Sequence, residues 1–166
     1  MPVATRARPL FWVLAVLWAV ATLVCLAIGV LTLLRSGPVT GLGYLIYPAV
    51  ALLVIGVGGI LLDHASPTRH DVPDVAGRMR LLVGIGLLLA LSGAPMFFTG
   101  APDGGDATCP YRLRDHQTVR CVSEGTYGFI SGSEQRMLMG IWIIFFSDLS
   151  RRAINRAVAP PGSAQP

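Results

Sequence analysis

Residues 108–121, "TCPYRLRDHQTVRC", set two cysteines around Arg112, Arg114, Asp115, His116 and Arg120. Three kinds of chemistry suit such residues. A redox pair needs one thiolate of lowered pKa, which Arg112 or Arg120 would favour. A zinc cup would add His116 to Cys109 and Cys121. A disulfide would simply close the loop. Redox catalysts hold their cysteines nearly adjacent, whereas eleven residues separate these two and the chain has no C-x-x-C. Closed zinc sites also prefer shorter ligand spacings. A structural disulfide between Cys109 and Cys121 is therefore expected, stabilising the loop by about 3 kcal/mol on the loop-closure argument. Between the cysteines, Tyr111, Leu113 and Val119 alternate with polar residues around Asp115-His116-Gln117. That alternation predicts a short hairpin with a cross-strand bridge.

A second cluster, "DHASPTRHDVPD", carries Asp63, His64, His70, Asp71 and Asp74. Imidazoles and carboxylates are usual ligands for divalent metals. Their spacing matches no ligand pattern, and Pro67 and Pro73 read as breaks in a solvated loop, so no metal is expected. Elsewhere there is no phosphate-binding glycine loop, no Ser-His-Asp set and no metalloprotease helix, and no cofactor is expected.

The elements that position these clusters are apolar. The chain has 166 residues, 53% hydrophobic and only 13% charged, with a mean hydropathy of +0.63. Soluble domains carry about 25% charged residues. Here the charges gather between long uncharged stretches, as a bilayer requires. The net charge of +4 comes entirely from arginine, since the chain has no lysine. With so much Ala, Gly, Val and Pro, that choice reflects coding bias rather than mechanism. The arginines flank apolar runs instead of forming one stripe, which argues against nucleic acid.

Leu10–Leu34 is uncharged for 25 residues, long enough to span about 30 Å. Ala19-Val20-Ala21 mimics a signal-peptide cleavage site, but the apolar run continues thirteen residues beyond it, so a retained first helix is expected. Tyr44–Leu62 is the second predicted span, with Pro48 in its first turn. The third is Arg80–Phe98, ending near Pro95. The fourth is less plain, because "MLMGIWIIFF" offers only ten apolar residues. A capping-box spacing, Ser131 to Glu134, predicts a helix from 131 to 156 with charge at both ends.

The expected fold class is thus an all-α integral membrane protein. It has four transmembrane helices, about 10–34, 44–62, 80–98 and 131–156, in one domain of residues 1–158. A disulfide-clipped extracytoplasmic loop joins the third and fourth helices, and the tail 159–166 is expected to be disordered. Arg6, Arg8, Arg69, Arg78, Arg80, Arg151, Arg152 and Arg156 fall on one side, and Arg35, Arg136 and the three ring arginines on the other. The excess predicts both termini in the cytoplasm of a bacterial cell.

Two stripes of small residues allow close helix approach: Ala21, Cys25 and Gly29 in the first span, and Gly86, Ala90 and Ala94 in the third. The first is expected to pack inside the bundle, the second against an external partner. The first three spans hold no Asp, Glu or His, which weighs against proton-coupled transport. The function expected is non-enzymatic: an accessory, assembly or stabilising subunit of a larger membrane complex, with the bilayer and other membrane proteins as partners. The alternatives are a small oligomeric transporter or lipid-handling protein, and a membrane thiol–disulfide enzyme.

Overall fold

The computed structural model describes residues 8–39, 58, 73–115 and 117–158. The first helix, α1, runs from Arg8 to Arg35. Nothing in this stretch breaks a helix, and at 1.5 Å per residue it is about 42 Å long. Ala15, Trp18, Thr22, Cys25, Gly29 and Thr32 are its buried positions. They alternate in steps of three and four, the spacing of a seam between nearly parallel helices. Ser36 takes a left-handed φ of 50° and closes the helix.

Helix α2, Pro73–Ser92, starts seven residues before the expected boundary. Pro73, read from the sequence as a loop breaker, instead occupies the first helical position, where a missing N–H costs nothing. Asp74 follows in the first turn, its carboxylate favoured by the helix dipole. The helix does not continue to residue 98. Pro95 cannot donate to a carbonyl one turn back, so the chain tightens. Gly93 N–H donates to Ala90 O and Ala94 N–H to Leu91 O, at 3.1 and 3.0 Å. A short helix α3, Pro95–Thr99, then resumes. Gly100 has φ 94°, and a Cβ there would lie 2.7 Å from the Arg114 carbonyl oxygen, so this close crossing needs glycine.

Three antiparallel strands follow, β1 Ala101–Pro102, β2 Arg112–Asp115 and β3 Thr118–Cys121. Ala101 faces Arg114, and β2 and β3 pair from Arg112↔Cys121 to Asp115↔Thr118. Leu113, 1% exposed, is the inward side chain of the hairpin.

The last helix, α4, extends from Glu124 to Val158, 35 residues or about 52 Å. It begins seven residues earlier than expected, because its cap is Ser123 rather than Ser131. Ser123 Oγ accepts from Thr126 N–H at 3.2 Å and contacts the Thr126 hydroxyl at 2.9 Å. The Ser131–Glu134 spacing therefore falls inside the helix and caps nothing, and Ser133 Oγ donates back to Phe129 O at 2.9 Å.

Helix α4 is the centre of the bundle, with α1 and α2 packed on it. Ala15, Trp18, Cys25, Leu89, Met139, Trp142, Ile143 and Phe146 form the main cluster. The stripe expected to face an outside partner lies within this bundle. A Cβ on Gly86 would sit 2.8 Å from the Gly140 carbonyl oxygen, and one on Gly140 would collide with Gly86 and Ala90. Small residues on both helices bring the two backbones together, and Gly93 extends the contact to Ser133 and Met137. Ala94 lies in the turn before α3. On α1, Cys25 and Gly29 are buried and Ala21 half-buried, with Gly29 against Leu89.

Two stretches, Pro9–Arg35 and Asp74–Thr99, are long and apolar enough to cross a membrane. The expected second span, 44–62, lies outside the described residues except for Gly58, which is buried where a Cβ would strike the Trp18 ring. The His/Asp loop 63–72, the N-terminal seven residues and the tail 159–166 are also outside them.

Candidate functional site

The most unusual side chain in the bundle is Arg136 of α4, 3% exposed. Desolvating a guanidinium is costly unless its N–H groups find acceptors. Nη1 donates to the Thr32 carbonyl oxygen at 3.3 Å and Nη2 to Ser133 Oγ at 2.7 Å. Phe129 lies under the charge, with its ring centroid 5.7 Å from Cζ. Nε is buried without a partner. Thr32 belongs to the last turn of α1, whose carbonyls have no acceptor role left within the helix. A cation placed there satisfies one of them and meets the negative end of the α1 dipole. Arg136 therefore acts as a C-terminal cap delivered from another helix.

Its neighbour Gln135 extends the same join. Its Oε1 accepts from Val39 N–H at 2.8 Å and its Nε2 donates to Val39 O at 3.3 Å, pairing like a strand with the chain after α1. Gly132 lets that segment approach, since a Cβ there would lie 3.0 Å from Gly37. Lower in the bundle, Ser150 Oγ donates to Ala15 O at 3.2 Å. Polar groups on α4 thus tie it to α1 at both ends.

The cysteine ring is closed. Cys109 and Cys121 form a disulfide with 5.7 Å between their Cα atoms. It is not the cross-strand bridge expected, because Cys121 faces Arg112 in the sheet and its sulfur reaches Cys109, three residues before β2. The bridge ties the hairpin to the preceding turn. Asp106 organises that turn, accepting from Thr108 N–H, Thr108 Oγ1 and Cys109 N–H at 2.9, 2.7 and 2.8 Å. The Thr108 hydroxyl, the two backbone N–H groups and the Arg112 charge hold its carboxyl below the ordinary carboxylate range. Arg112 pairs with Asp106 at 2.9 Å and Arg114 with Asp103 at 2.8 Å. Arg120 donates to Thr99 O at 2.8 Å, capping α3. The ring arginines are structural partners rather than activators of a thiolate. Tyr111 packs at a tilt against Tyr127, 5.6 Å between centroids, and neighbouring Glu124 raises its phenol pKa.

Among the described residues no group of three His, Cys, Asp or Glu could hold a metal ion. His116 and the candidate ligands His64 and His70 lie outside them, and Asp74 is exposed in the first turn of α2. Comparison with protein-family models, curated proteins and solved structures found no match to this chain. The functional reading therefore rests on the residues themselves.

Sequence reasoning placed Arg136 in the charged first turn of the fourth helix, at the membrane interface. Its interior role depends on α4 beginning at Glu124 and on where α1 ends. One signal was available: Gly132, Arg136, Met139 and Ile143 already keep seam spacing, with the charge in a position that otherwise faces inward.

Proposed function

We propose that this chain is a multi-pass protein of the cell membrane, with both termini cytoplasmic, and that it serves without catalysis as an accessory or stabilising subunit of a larger membrane complex. The observation that carries the membrane reading is a surface of large apolar side chains around an interior that also holds polar ones. Leu17, Leu23, Leu34, Leu81, Leu88 and Phe98 are exposed, while Thr22, Thr32, Ser133, Gln135, Arg136, Ser147 and Ser150 are buried. In lipid, apolar side chains face outward and polar ones join helices. With residues 44–62 as a further span, α4 would be the shielded fourth, which explains how a helix with a short apolar run could sit in a bilayer.

The orientation follows from arginine. Arg78, Arg80, Arg151, Arg152 and Arg156 belong to the end where α2 starts and α4 finishes, and the positive-inside rule puts that end in the cytoplasm. The non-enzymatic reading is supported by the use of the buried polar groups: Arg136, Gln135 and Ser150 hydrogen-bond α1 and the chain after it to α4. A lipid-handling role is the second reading, favoured by an apolar groove of about 220 Å³ between α1 and α2, lined by Leu26, Val30, Leu33, Ile85, Leu88 and Leu89. Purification from native membrane in mild detergent, with mass spectrometry of what accompanies the chain, tests the first reading. A stoichiometric membrane-protein partner is expected. A chain that always purifies alone, with its native lipids, sinks the subunit reading and leaves the lipid one.

A further inference from the structure

We propose that the outer edge of β3 takes up an extended segment from the extracytoplasmic part of a partner membrane protein. The segment adds to the three-stranded sheet as a further strand, with an acidic residue opposite Arg120. This rests on the reading of the chain as a subunit of a membrane complex. The register fixes which backbone groups the edge offers. Asp115 pairs with Thr118 at the turn, and at the other end of the ladder Val122 N–H donates to Tyr111 O at 2.9 Å. Bonded and non-bonded pairs alternate along an antiparallel ladder, so Leu113 and Arg120 are the bonded pair between them. Arg112 turns its backbone to the other side, donating to Gly104 O at 3.1 Å and accepting from Asp103 N–H at 3.0 Å. Its partner Cys121, and likewise Val119, therefore point N–H and C=O away from β2. No described residue bonds to those groups.

Proteins usually protect such edges, and this sheet does so on its other side. There β1 is only two residues long, lacks an N–H at Pro102 and packs on α4. In contrast β3 has four exposed residues, no proline, and β-branched Thr118 and Val119 in succession, Val119 being 45% exposed. A strand added to an open edge gains main-chain hydrogen bonds, and its alternate side chains give specificity. Residues opposite Val119 and Cys121 would share one face, and the residue between them would fall beside Arg120. Arg120 is exposed and donates to Thr99 O, with no carboxylate partner among the described residues. An acid directly across from it completes the charge pair. A second copy of this chain fits poorly. The antiparallel register that uses both Val119 and Cys121 sets Arg120 opposite the same arginine of the copy, and like charges there are destabilising.

The test uses the full chain in mild detergent with two end-blocked peptides, Thr-Val-Glu-Val-Thr and Thr-Val-Lys-Val-Thr, read by NMR of the backbone amides. Without peptide, the Arg120 amide should resist hydrogen exchange while those of Val119 and Cys121 exchange freely. The glutamate peptide should shift and slow Val119 and Cys121, and the lysine peptide should bind about threefold more weakly, the scale of one cross-strand charge pair. Arg120→Gln should bring the two peptides to equal affinity. Val119→Pro removes an N–H that lies outside the ladder, so it should keep the Arg120 amide slow and abolish binding of both. Equal binding of the two peptides by the native chain, binding that survives Val119→Pro, or no shift at Val119 and Cys121 with millimolar peptide would each overturn the edge as a docking site. Slowing of those two amides with chain concentration alone would overturn it in favour of a second copy. Native membranes separate this proposal from the reading beneath it. A partner that stays with Val119→Pro overturns the edge alone, whereas a wild-type chain that has no partner overturns the subunit reading.

Discussion

The two ends of the helix bundle use arginine in opposite ways. At the end carrying the sheet, Arg112, Arg114, Arg120 and Arg136 each donate to an oxygen of the fold: two aspartates and two carbonyls that terminate helices. At the other end, Arg151 and Arg152 both pair with Asp148, and Arg80 makes no ion pair with a described residue. Charge of one sign can therefore be structural or available, depending on whether the backbone nearby has unsatisfied acceptors. Helix C-termini collect at the first end, from α1 and α3, and supply those carbonyls. The second end gathers the start of α2 and the end of α4, where Arg80 lies exposed.

Between the ends, contact is steric, and here the largest effect is expected. Gly140→Leu would drive a side chain into the backbone of Gly86 and Ala90. The helices would have to separate along their tightest crossing, a loss on the order of 3 kcal/mol or more. Thermal unfolding in detergent should show it, whereas Gly84→Leu, where a Cβ meets nothing within 4 Å, should leave the midpoint nearly unchanged. Equal damage from both would mean that the α2–α4 contact is not the one described.

The disulfide comes next. Replacing Cys109 and Cys121 together by Ser should cost about 3 kcal/mol in the stability of the sheet end. Limited proteolysis should then cut between residues 103 and 121, while α1, α2 and α4 stay protected. If the whole bundle loosens instead, the sheet end is more than a clipped appendage, and the contrast between the ends weakens.

Some of this arrangement is legible in the sequence. Long uncharged runs make α1 and most of α2 plain, because nothing competes with apolar length. The disulfide and hairpin are readable from alternation around Leu113. Helix starts are harder. Ser123 and Ser131 are both followed three residues later by a polar side chain, and Gly125, Gly128 and Gly132 make the stretch look like loop. Packing on α1 and α2 decides for the longer helix, a tertiary effect that local propensity does not contain. Arg136 keeps the inward spacing, but its acceptor is illegible for the same reason, being a carbonyl 104 residues away. The stripe of Gly86 and Ala90 is readable as a contact face, but its partner, Gly140, appears only once α4 is in place.

Arg136 sharpens the comparison further. Arg136→Met keeps the length and removes the cap, leaving the Thr32 carbonyl and Ser133 hydroxyl without a donor. A loss of roughly 1–3 kcal/mol is expected, the cost of orphaned buried acceptors. Arg80→Gln should change stability by less than about 0.5 kcal/mol, as surface substitutions do. Chemical denaturation of the two variants side by side reads the difference between a structural and an available arginine directly. Similar midpoints would erase it.

The smallest effect is a dependence on pH confined to the sheet end. Asp106 has its pKa lowered in the folded loop by the Thr108 hydroxyl, the Cys109 and Thr108 amides and Arg112. A group whose folded pKa lies below its unfolded value stabilises the fold in its ionised form. That contribution is complete above the unfolded value, near about 4 for aspartate. It disappears as pH falls through the folded value, when the carboxyl takes a proton and the amides lose their acceptor charge. Amide hydrogen exchange at Thr108 and Cys109, corrected for the intrinsic pH dependence, should hold steady from neutral pH to about 4 and speed up below it. Asp106→Asn, which keeps an acceptor oxygen without a charge, should remove the step and leave faster exchange throughout.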